Sequence, residues 1–369
     1  MGKKSQEIAK AGVSDLSRRN FLQGAAALGG SALLPSSQLS AQVPAGKARV
    51  IDCHHHFGSP GYAKTIAPKV DVQIAGFGTV RDFDLKHWQT YSPAKVVEYM
   101  DQNDTATAIL SITSPGAWFG DPEETRFLCH DVNEYAAKMM SDYKGRFGLF
   151  ALLPLPIIDA SLHEIEYALD TLHADGVGIF TSYESHYWLG DPIFQPVFDE
   201  LNRRKAVVFV HPINPFQELN HVGVTEFLSD TMRTIYSLLK TGAATRYGDI
   251  RFIFAHGGGS MPSLIERFGI AKPGEHDDAF EGRAEVNSNL YHLRRFHYDT
   301  ANSCNSVQLQ GLKTVVGASQ IVFGSDWPMI ESIGRQVQGL QKCRFSAAEL
   351  TGIHRGNAEQ HLFPRLRKA

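Results

Sequence analysis

Eight short apolar segments alternate with longer helix-like stretches from residue 47 towards the C-terminus. The segments are rich in Val, Ile and Phe, and several are apolar throughout, which is typical of parallel strands buried on both faces. Eight strand–helix units are the number that closes a (β/α)8 barrel, and this α/β fold is the one we predict. The predicted strands are Arg49–Cys53, Thr107–Ile112, Phe147–Leu152, Gly176–Phe180, Ala206–Val210, Arg251–Ala255, Phe296–Thr300 and Gln320–Phe323.

Helix-like stretches separate the predicted strands, and one of them carries a clear start signal. Ser92 is a good N-cap and precedes a proline at the first helical position, so we predict a helix over Pro93–Gln102. Ser161–His173 has apolar residues at spacings of three and four, as one face of a helix requires. The patterns of Thr231–Lys240 and Ala347–His354 are similar.

The connection after the first predicted strand bears on the fold class. An open doubly wound sheet is the main alternative to a barrel, but it usually has a Gly-rich phosphate loop after its first strand. No such loop follows Arg49–Cys53. The connection from Phe57 to Tyr91 exceeds the usual loop length, so we predict a functional flap at the barrel mouth that contains Trp88.

A pair of arginines precedes a short uncharged segment near the N-terminus. Arg18 and Arg19 lead into Gln23–Leu34, which is rich in Ala, Gly and Leu, and small residues continue through Ala41 and Ala45. This layout is typical of a secretory signal and is too short to span a bilayer comfortably. It resembles a bacterial twin-arginine signal, so we predict export to the periplasm by the twin-arginine translocation machinery.

The predicted export signal sets the domain organisation. We assign residues 1–45 to the signal and residues 46–369 to one barrel domain. We expect cleavage at Ala41 or Ala45 and no stable membrane insertion after processing.

Composition excludes several classes of protein. Hydrophobic residues make up 43 % of the chain and charged residues 20 %, which excludes a disordered or collagen-like chain. The 36 Lys and Arg residues against 39 Asp and Glu residues leave no basic field for a nucleic acid. Four cysteines are too few and too scattered for a disulfide scaffold or a zinc ribbon, and we expect buried thiols.

Polar residues follow four of the predicted strands, at the end of a barrel where catalytic groups lie. They are His54, His55 and His56 after the first strand, His211 after the fifth, His256 after the sixth and Asp326 after the eighth. The chain has 16 histidines, and others, such as His163, His173, His276 and His354, fall in helix or loop patterns that favour structural roles.

The spacing of these residues predicts a metal site. His54 and His56 are two positions apart, so they project to the same face of a strand, whereas His55 points the other way. With His211 and Asp326 they supply three nitrogens and one oxygen, a set that suits Zn²⁺, with Mn²⁺ or Fe²⁺ as alternatives. His256 is either a fourth nitrogen ligand or a base near the ion, and we favour the base.

At these residues the sequence resembles the amidohydrolase superfamily. The branch is the amidohydrolase-related group typified by aminocarboxymuconate-semialdehyde decarboxylase and the salicylate- and resorcylate-type decarboxylases. The matching segments run in order along almost the whole predicted mature chain: Ile51–Phe57, Ser92–Asp101, Arg146–Pro154, Leu189–Val197, Val210–Pro212, Phe254–Gly259, Tyr298–Ala301, Gly324–Pro328, and Gly356–Ala358 near Leu362–Phe363.

The resemblance implies a distorted (β/α)8 barrel with one divalent metal ion. His54, His56, His211 and Asp326 fall on its ligand positions, and His256 falls on its catalytic histidine. Two-metal branches use a carboxylated lysine on the fourth strand, and this strand ends in Phe-Thr-Ser-Tyr without a lysine, which favours a mononuclear site. Members of the group are commonly dimers, so a homodimer is one assembly that the resemblance allows.

Two reactions of a small-molecule substrate fit one metal ion, one base and one acid. In a decarboxylation, the metal binds a substrate oxygen beside the carboxylate, and Asp326 or metal-activated water protonates the carbon as carbon dioxide leaves. In a hydrolysis, His256 takes a proton from metal-activated water, and Asp326 passes that proton on. A third hypothesis is an exported binding protein without catalysis, and the intact set of candidate groups argues against it.

Aromatic side chains near the predicted barrel mouth favour the decarboxylation. Trp118 and Trp188 lie in the loops after the second and fourth strands and suit a flat, aromatic or unsaturated acid. A substrate carboxylate needs a cation, and Arg81 in the flap is the candidate, because the resembled group has an arginine in this region. We therefore predict a metal-dependent decarboxylase of such an acid, with a metal-dependent hydrolase of a lactone, ester or amide as the alternative.

Overall fold

Eight parallel strands lie side by side in the order in which they occur along the chain. The computed structural model describes residues 50–69, 82–184, 186–213, 225–270, 277–330 and 332–368. The strands are β1 (Val50–His56), β2 (Thr105–Ser111), β3 (Phe147–Leu152), β4 (Gly176–Phe180), β5 (Val207–His211), β6 (Arg251–Phe254), β7 (His297–Asp299) and β8 (Ile321–Val322). All eight predicted strands are present, and the last three are shorter than predicted.

The sheet curves until its first and last strands meet. Beyond β8, backbone hydrogen bonds continue to β1: the amide of Cys53 donates to Phe323 (2.8 Å), and the amide of His56 donates to Trp327 (2.7 Å). The sheet is thus a nearly closed barrel, which confirms the predicted (β/α)8 class.

Helices connect the strands and cover the outside of the barrel. They are α1 (Pro60–Ile66), α2 (Asp82–Gln89), α3 (Pro93–Gln102), α4 (Pro122–Asp142), α5 (Ile158–Glu166), α6 (Gln195–Arg203), α7 (Phe227–Lys240), α8 (Ala243–Arg246), α9 (Asn289–Leu293), α10 (Ser306–Val316), α11 (Ile333–Gln341), α12 (Ala347–Thr351) and α13 (Asn357–His361). The helix predicted after Ser92 has the predicted bounds. The helix predicted at Ser161 begins earlier and ends in a π-helical turn over Tyr167–Thr171.

The structure of the connection after β1 differs from the predicted flap. Its described part contains α1 and α2 rather than a loop, and Tyr62, Ile66 and Trp88 are all buried in the core. Leu85 and Trp88 are three positions apart, so both face inward from one side of α2. Trp88 therefore stabilises the fold, and residues 70–81 of this connection lie outside the described residues.

Two apolar layers separate the inside of the barrel from its coat of helices. Alternate residues of the strands, such as Ile109 and Phe209, pack inside the barrel, while their neighbours face the helices. The C-terminal segment supplies Leu362, Phe363 and Leu366 to the inner layer, and the Phe363 ring lies 5.8 Å from that of Phe150. The inner layer thus fills the barrel below the strand ends, which leaves the other end for polar groups.

Candidate metal centre

A shift in strand pairing turns the β1 histidines into the barrel mouth. The pairing of β1 with β2 slips between Asp52 and His55, as at a β-bulge. Ile51 and Cys53 belong to the inner layer, yet beyond the slip the His54 ring still packs against Phe209, 5.0 Å away inside the barrel. His55 points outward, as predicted, and its ring stacks on Trp327 at 4.7 Å.

Five polar side chains from the ends of four strand units converge at the mouth. Nε2 of His56 lies 3.0 Å from Nε2 of His54 and 3.1 Å from Oδ1 of Asp326. One ligand atom each from His54, His211, His256 and Asp326 lies within 4.8 Å of the others. The structure therefore brings together all five residues predicted for the metal and the base, and their division into ligands and base stays a prediction.

Each of three histidines has its other ring nitrogen held by the protein. Nδ1 of His54 donates to Oδ2 of Asp299 (2.8 Å), and Nδ1 of His56 donates to the carbonyl oxygen of Ser111 (3.2 Å). Nδ1 of His211 donates to the carbonyl oxygen of Pro212 (2.8 Å). This pattern orients each ring so that its Nε2 faces the cluster, which is the usual arrangement around a protein-bound metal.

His256 differs from the other three histidines. Its Nε2 lies 3.4 Å from Oδ2 of Asp326, but its buried Nδ1 has no hydrogen-bond partner among the described residues. Its backbone has φ = +56°, and Asp326 has φ = +62°, a region that residues with a Cβ seldom adopt. Such backbone strain tends to concentrate at functional sites, so it supports a chemical role for this pair of residues.

Charges in the cluster are arranged to receive a cation. Burial opposes ionisation of Asp326, but His54 and the hydrogen bonds from the neighbouring histidines outweigh it and hold its pKa well below the usual range. Burial lowers the pKa of His56, and burial together with the surrounding histidines lowers that of His211 further. Burial would lower the pKa of His54 too, but Asp299 and Asp326 raise it to about 10. A divalent cation therefore meets one carboxylate, two neutral imidazoles and a third whose proton it must displace.

Sequence reasoning missed two buried aspartates that organise these groups. Asp299 ends β7 and accepts hydrogen bonds from His54 and from the backbone amide of His256 (3.0 Å). Asp52 lies on β1 and accepts hydrogen bonds from His55 and from Ser325. The position of Asp299 at a strand end is the signal that could have identified it.

A cavity of about 210 Å³ opens beside the cluster. Its described lining residues are Thr113, His211, Phe227, Leu228, His256, Asn302, Asp326, Met329 and Ile330. The Phe227 ring lies nearly parallel to that of His256, with centroids 6.3 Å apart. Phe227 begins α7, and no sequence pattern singled it out. The cavity thus joins the catalytic candidates to an apolar wall.

The structure describes two of the three residues predicted to contact the substrate. Arg81 lies outside the described residues. Trp118 is half-buried, and Trp188 lies in a short antiparallel strand pair under the guanidinium of Arg233, 6.0 Å from it. Neither tryptophan is among the described residues that line the cavity. All three roles therefore stay predictions.

The four cysteines are free thiols, as predicted, and Cys304 is the one that is not fully buried. None of the described helices is long and apolar enough to cross a membrane.

Curated relatives of the chain are decarboxylases. The chain is 32 % identical over 335 residues to the decarboxylase yanB of Aspergillus niger, with 85 % of this chain and 87 % of the relative covered. It is 33 % identical over 339 residues to the 6-methylsalicylic acid decarboxylase acuB of Aspergillus aculeatus, with 86 % and 97 % covered. These relatives are consistent with the predicted class, a metal-dependent decarboxylase.

A solved structure shares the fold at low sequence identity. The dihydroxybenzoic acid decarboxylase from Polaromonas sp. JS666, solved with bound manganese and the inhibitor 2-nitroresorcinol, matches with a TM-score of 0.71 and 20 % identity. The match covers 87 % of this chain and 98 % of that chain.

Sequence models of whole families match both parts of the chain. A model of the twin-arginine translocation pathway signal sequence matches residues 15–35, which confirms the predicted signal and supports export. A model of the amidohydrolase family matches residues 51–363, from the first strand to the segment that fills the barrel. The chain therefore belongs to the amidohydrolase family.

Proposed function

We propose that this chain decarboxylates a single-ring aromatic acid that carries a hydroxyl group beside its carboxylate, with the help of one divalent metal ion. The observation that carries the proposal is the convergence of the Nε2 atoms of His54 and His56 and the carboxylate of Asp326 beside a partly apolar cavity. Relatives that include a 6-methylsalicylic acid decarboxylase support the substrate class. A cavity of about 210 Å³ is smaller than most sites for drug-sized ligands and suits one ring.

The metal would be held by His54, His56, His211 and Asp326. Three imidazole nitrogens and one carboxylate oxygen suit Zn²⁺, with Mn²⁺ and Fe²⁺ as alternatives. When bound, the ion would supply a Lewis acid for the substrate oxygens. The fourth barrel strand, Gly176–Phe180, and the residues that follow it contain no lysine that could bridge a second ion, which supports a single metal.

We assign the proton transfer to Asp326 and His256. Decarboxylation replaces the carbon–carbon bond to the leaving carbon dioxide by a carbon–hydrogen bond, so a proton must reach the ring carbon. Asp326 is ionised at rest, so it must first take up from solvent the proton that the reaction consumes. His256 faces Oδ2 of Asp326 and lines the cavity, so it can share that proton and pass it towards the ring. Phe227, parallel to the His256 ring, would cover one face of the substrate.

The test is product analysis with purified, Zn²⁺-loaded protein. We expect carbon dioxide and the matching phenol from 6-methylsalicylate, salicylate or a dihydroxybenzoate, and no reaction with lactones or esters. His256→Asn, with its metal content verified, is the matched control for contaminating activity. Acid release from an ester or lactone without carbon dioxide would show that the protein is a hydrolase.

We further propose that the mature domain, residues 46–369, works in the periplasm after its signal is removed. The match of residues 15–35 to a twin-arginine signal supports this location. Replacing Arg18 and Arg19 by lysine should retain the precursor in the cytoplasmic fraction, and N-terminal sequencing of the exported form should give a start after Ala41 or Ala45. Recovery of the mature form in the periplasm despite both substitutions would rule out this route. A homodimer stays a prediction, which light scattering of the purified protein can test.

A further inference from the structure

We propose that Asp52 and His55 form a brace that positions Asp326, and that this brace sets both the affinity for the metal and the rate of proton transfer. The inference rests on the proposed function, because it assigns Asp326 to the metal and to the proton. Neither member of the brace touches the side chain of Asp326 in the structure. Both act on its two neighbours along the chain, Ser325 and Trp327.

Asp326 lies beyond the residues that pair with β7, and there β1 holds the backbone: the amide of Asp326 donates to the carbonyl oxygen of His54 (2.9 Å). The pairing of β7 with β8 includes only Ile321 and Val322 on the β8 side. Thr300 then holds Gly324 through its hydroxyl, at 3.2 Å from both the amide and the carbonyl oxygen. Asp326 itself has φ = +62°, a left-handed conformation that residues with a Cβ seldom adopt.

Asp52 fixes the residue before Asp326. Its Oδ1 accepts hydrogen bonds from the backbone amides of Ser325 (2.9 Å) and His54 (3.2 Å). Its Oδ2 accepts from the Ser325 hydroxyl (2.6 Å) and from Nδ1 of His55 (3.0 Å). One fully buried carboxylate thus joins the strand of the metal-binding histidines to the turn that carries Asp326.

His55 fixes the residue after Asp326. Its ring stacks on the Trp327 indole with centroids 4.7 Å apart and planes 23° apart. Nδ1 of the same ring is tied to Asp52, and Nε2 is buried without a hydrogen-bond partner among the described residues. His55 therefore contributes one hydrogen bond and one flat surface, and both are directed at the residues that flank Asp326.

The two contacts of His55 can be separated by substitution. His55→Asn keeps a nitrogen near the position of Nδ1, so it retains the bond to Asp52 and loses the stack. His55→Phe retains the stack and loses the bond. Asp52→Asn keeps the shape of Asp52 but puts an amide nitrogen where the carboxylate accepts hydrogen bonds. Ser325→Ala removes the hydroxyl that donates to Asp52 and accepts from the amide of Trp327 (3.1 Å), and it keeps the backbone contact with Asp52.

A matched control is available at the opposite end of the barrel. Asp175 immediately precedes β4, its side chain is 4 % exposed, and its Oδ2 accepts from the backbone amide of Leu149 at 3.0 Å. Asp175→Asn is therefore the same chemical change at a similarly buried brace that lies far from the metal site. It should lower the melting temperature without changing metal affinity.

The experiment measures the Zn²⁺ dissociation constant by chelator competition, and then kcat and KM at saturating Zn²⁺. We expect Asp52→Asn to weaken Zn²⁺ binding by about ten- to hundredfold, as for other residues that orient metal ligands. At saturating Zn²⁺ it should lower kcat by at least tenfold and leave KM within about twofold, because Asp326 is displaced but the other residues that line the cavity stay in place. His55→Phe and His55→Asn should each show part of this loss. The double variant Asp52→Asn/His55→Phe should lose no more than Asp52→Asn, since both belong to one unit.

Three results would overturn the brace. One is a dissociation constant within twofold of the parent in both Asp52→Asn and Ser325→Ala. Another is a full parental kcat at saturating Zn²⁺ in folded Asp52→Asn. The third is an equal loss of Zn²⁺ affinity in Asp175→Asn. If the protein binds Zn²⁺ but decarboxylates nothing, the proposed reaction fails, and the dissociation constants alone still decide on the brace.

Discussion

Replacing Asp299 by asparagine should remove most of the metal affinity without removing a metal ligand. Oδ1 of Asp299 accepts hydrogen bonds from the backbone amides of His256 (3.0 Å) and Ala301 (2.9 Å). Oδ2 accepts a hydrogen bond from Nδ1 of His54 (2.8 Å). In Asp299→Asn, the amide oxygen must stay with the two backbone amides, because an NH₂ group there would face two donors. The amide nitrogen is then directed at Nδ1 of His54.

This orientation forces His54 into the wrong tautomer. Nδ1 must either face another donor or give up its hydrogen, and in the second case the hydrogen moves to Nε2, the atom meant for the metal. A hydrogen bond to a charged group is worth about 1.5–3 kcal/mol, which corresponds to roughly ten- to 150-fold in a dissociation constant. We therefore expect Zn²⁺ to bind about ten- to hundredfold more weakly, in line with other partners of metal-binding histidines.

The assay is competition for Zn²⁺ with a chromophoric chelator at pH 7, together with metal analysis of the purified protein. Circular dichroism reports whether the variant is folded, and Asp175→Asn serves as a control for the loss of a buried carboxylate elsewhere. A folded Asp299→Asn protein with the parental dissociation constant would refute the tautomer reasoning. It would mean that Asp299 does not set which nitrogen of His54 carries the hydrogen.

Other substitutions test the chemistry and the stability of the barrel. His256→Asn should abolish turnover and keep the metal, whereas His54→Ala should lose the metal; a metal-free His256→Asn protein would make His256 a ligand instead of the base. Burial, with a smaller contribution from His361, lowers the pKa of His297 to about 3. Below about pH 6.5 this side chain is therefore protonated in the unfolded chain but stays neutral in the folded chain. Protonation of His297 in the unfolded chain therefore lowers the free energy of unfolding as pH falls from about 6.5 towards 3. In urea unfolding between pH 6 and 4, His297→Phe should lose up to about 1.4 kcal/mol less of this free energy per pH unit than the parent. Equal slopes in the two proteins would contradict this cause. Phe363→Ala should lower the free energy of unfolding by about 3–5 kcal/mol in the same assay, because Phe363 is 2 % exposed inside the barrel. A loss below about 1 kcal/mol would mean that the C-terminal segment does not fill the barrel interior.

The residues that could be predicted are those whose chemistry depends on strand position alone. His54, His56 and Asp326 follow apolar strands, and the carboxyl ends of parallel strands in a barrel must meet, so their convergence follows from the pattern. The helical face of Leu85 and Trp88 is also present in the sequence, but the length of the connection favours a loop.

Other residues could not be predicted because their role depends on partners that are distant in sequence. Asp52 acts on Ser325, 273 positions away, and nothing in either local pattern points to the other. The slip in pairing beyond Asp52 also has no local signature, although it decides which histidines face the mouth. Phe227 gains its role only because α7 begins beside His256.

The segment that fills the barrel interior has a consequence for the order of events in the cell. Leu362 and Phe363 complete the inner layer, so strands made early in translation must wait for residues that are made much later. The barrel can therefore reach its final packing only after the ribosome has released this segment. A twin-arginine route carries folded proteins, yet the signal at residues 15–35 is synthesised before the barrel can be complete. Timing between synthesis and export, rather than the strength of the signal, would then decide how much of the protein leaves the cytoplasm intact.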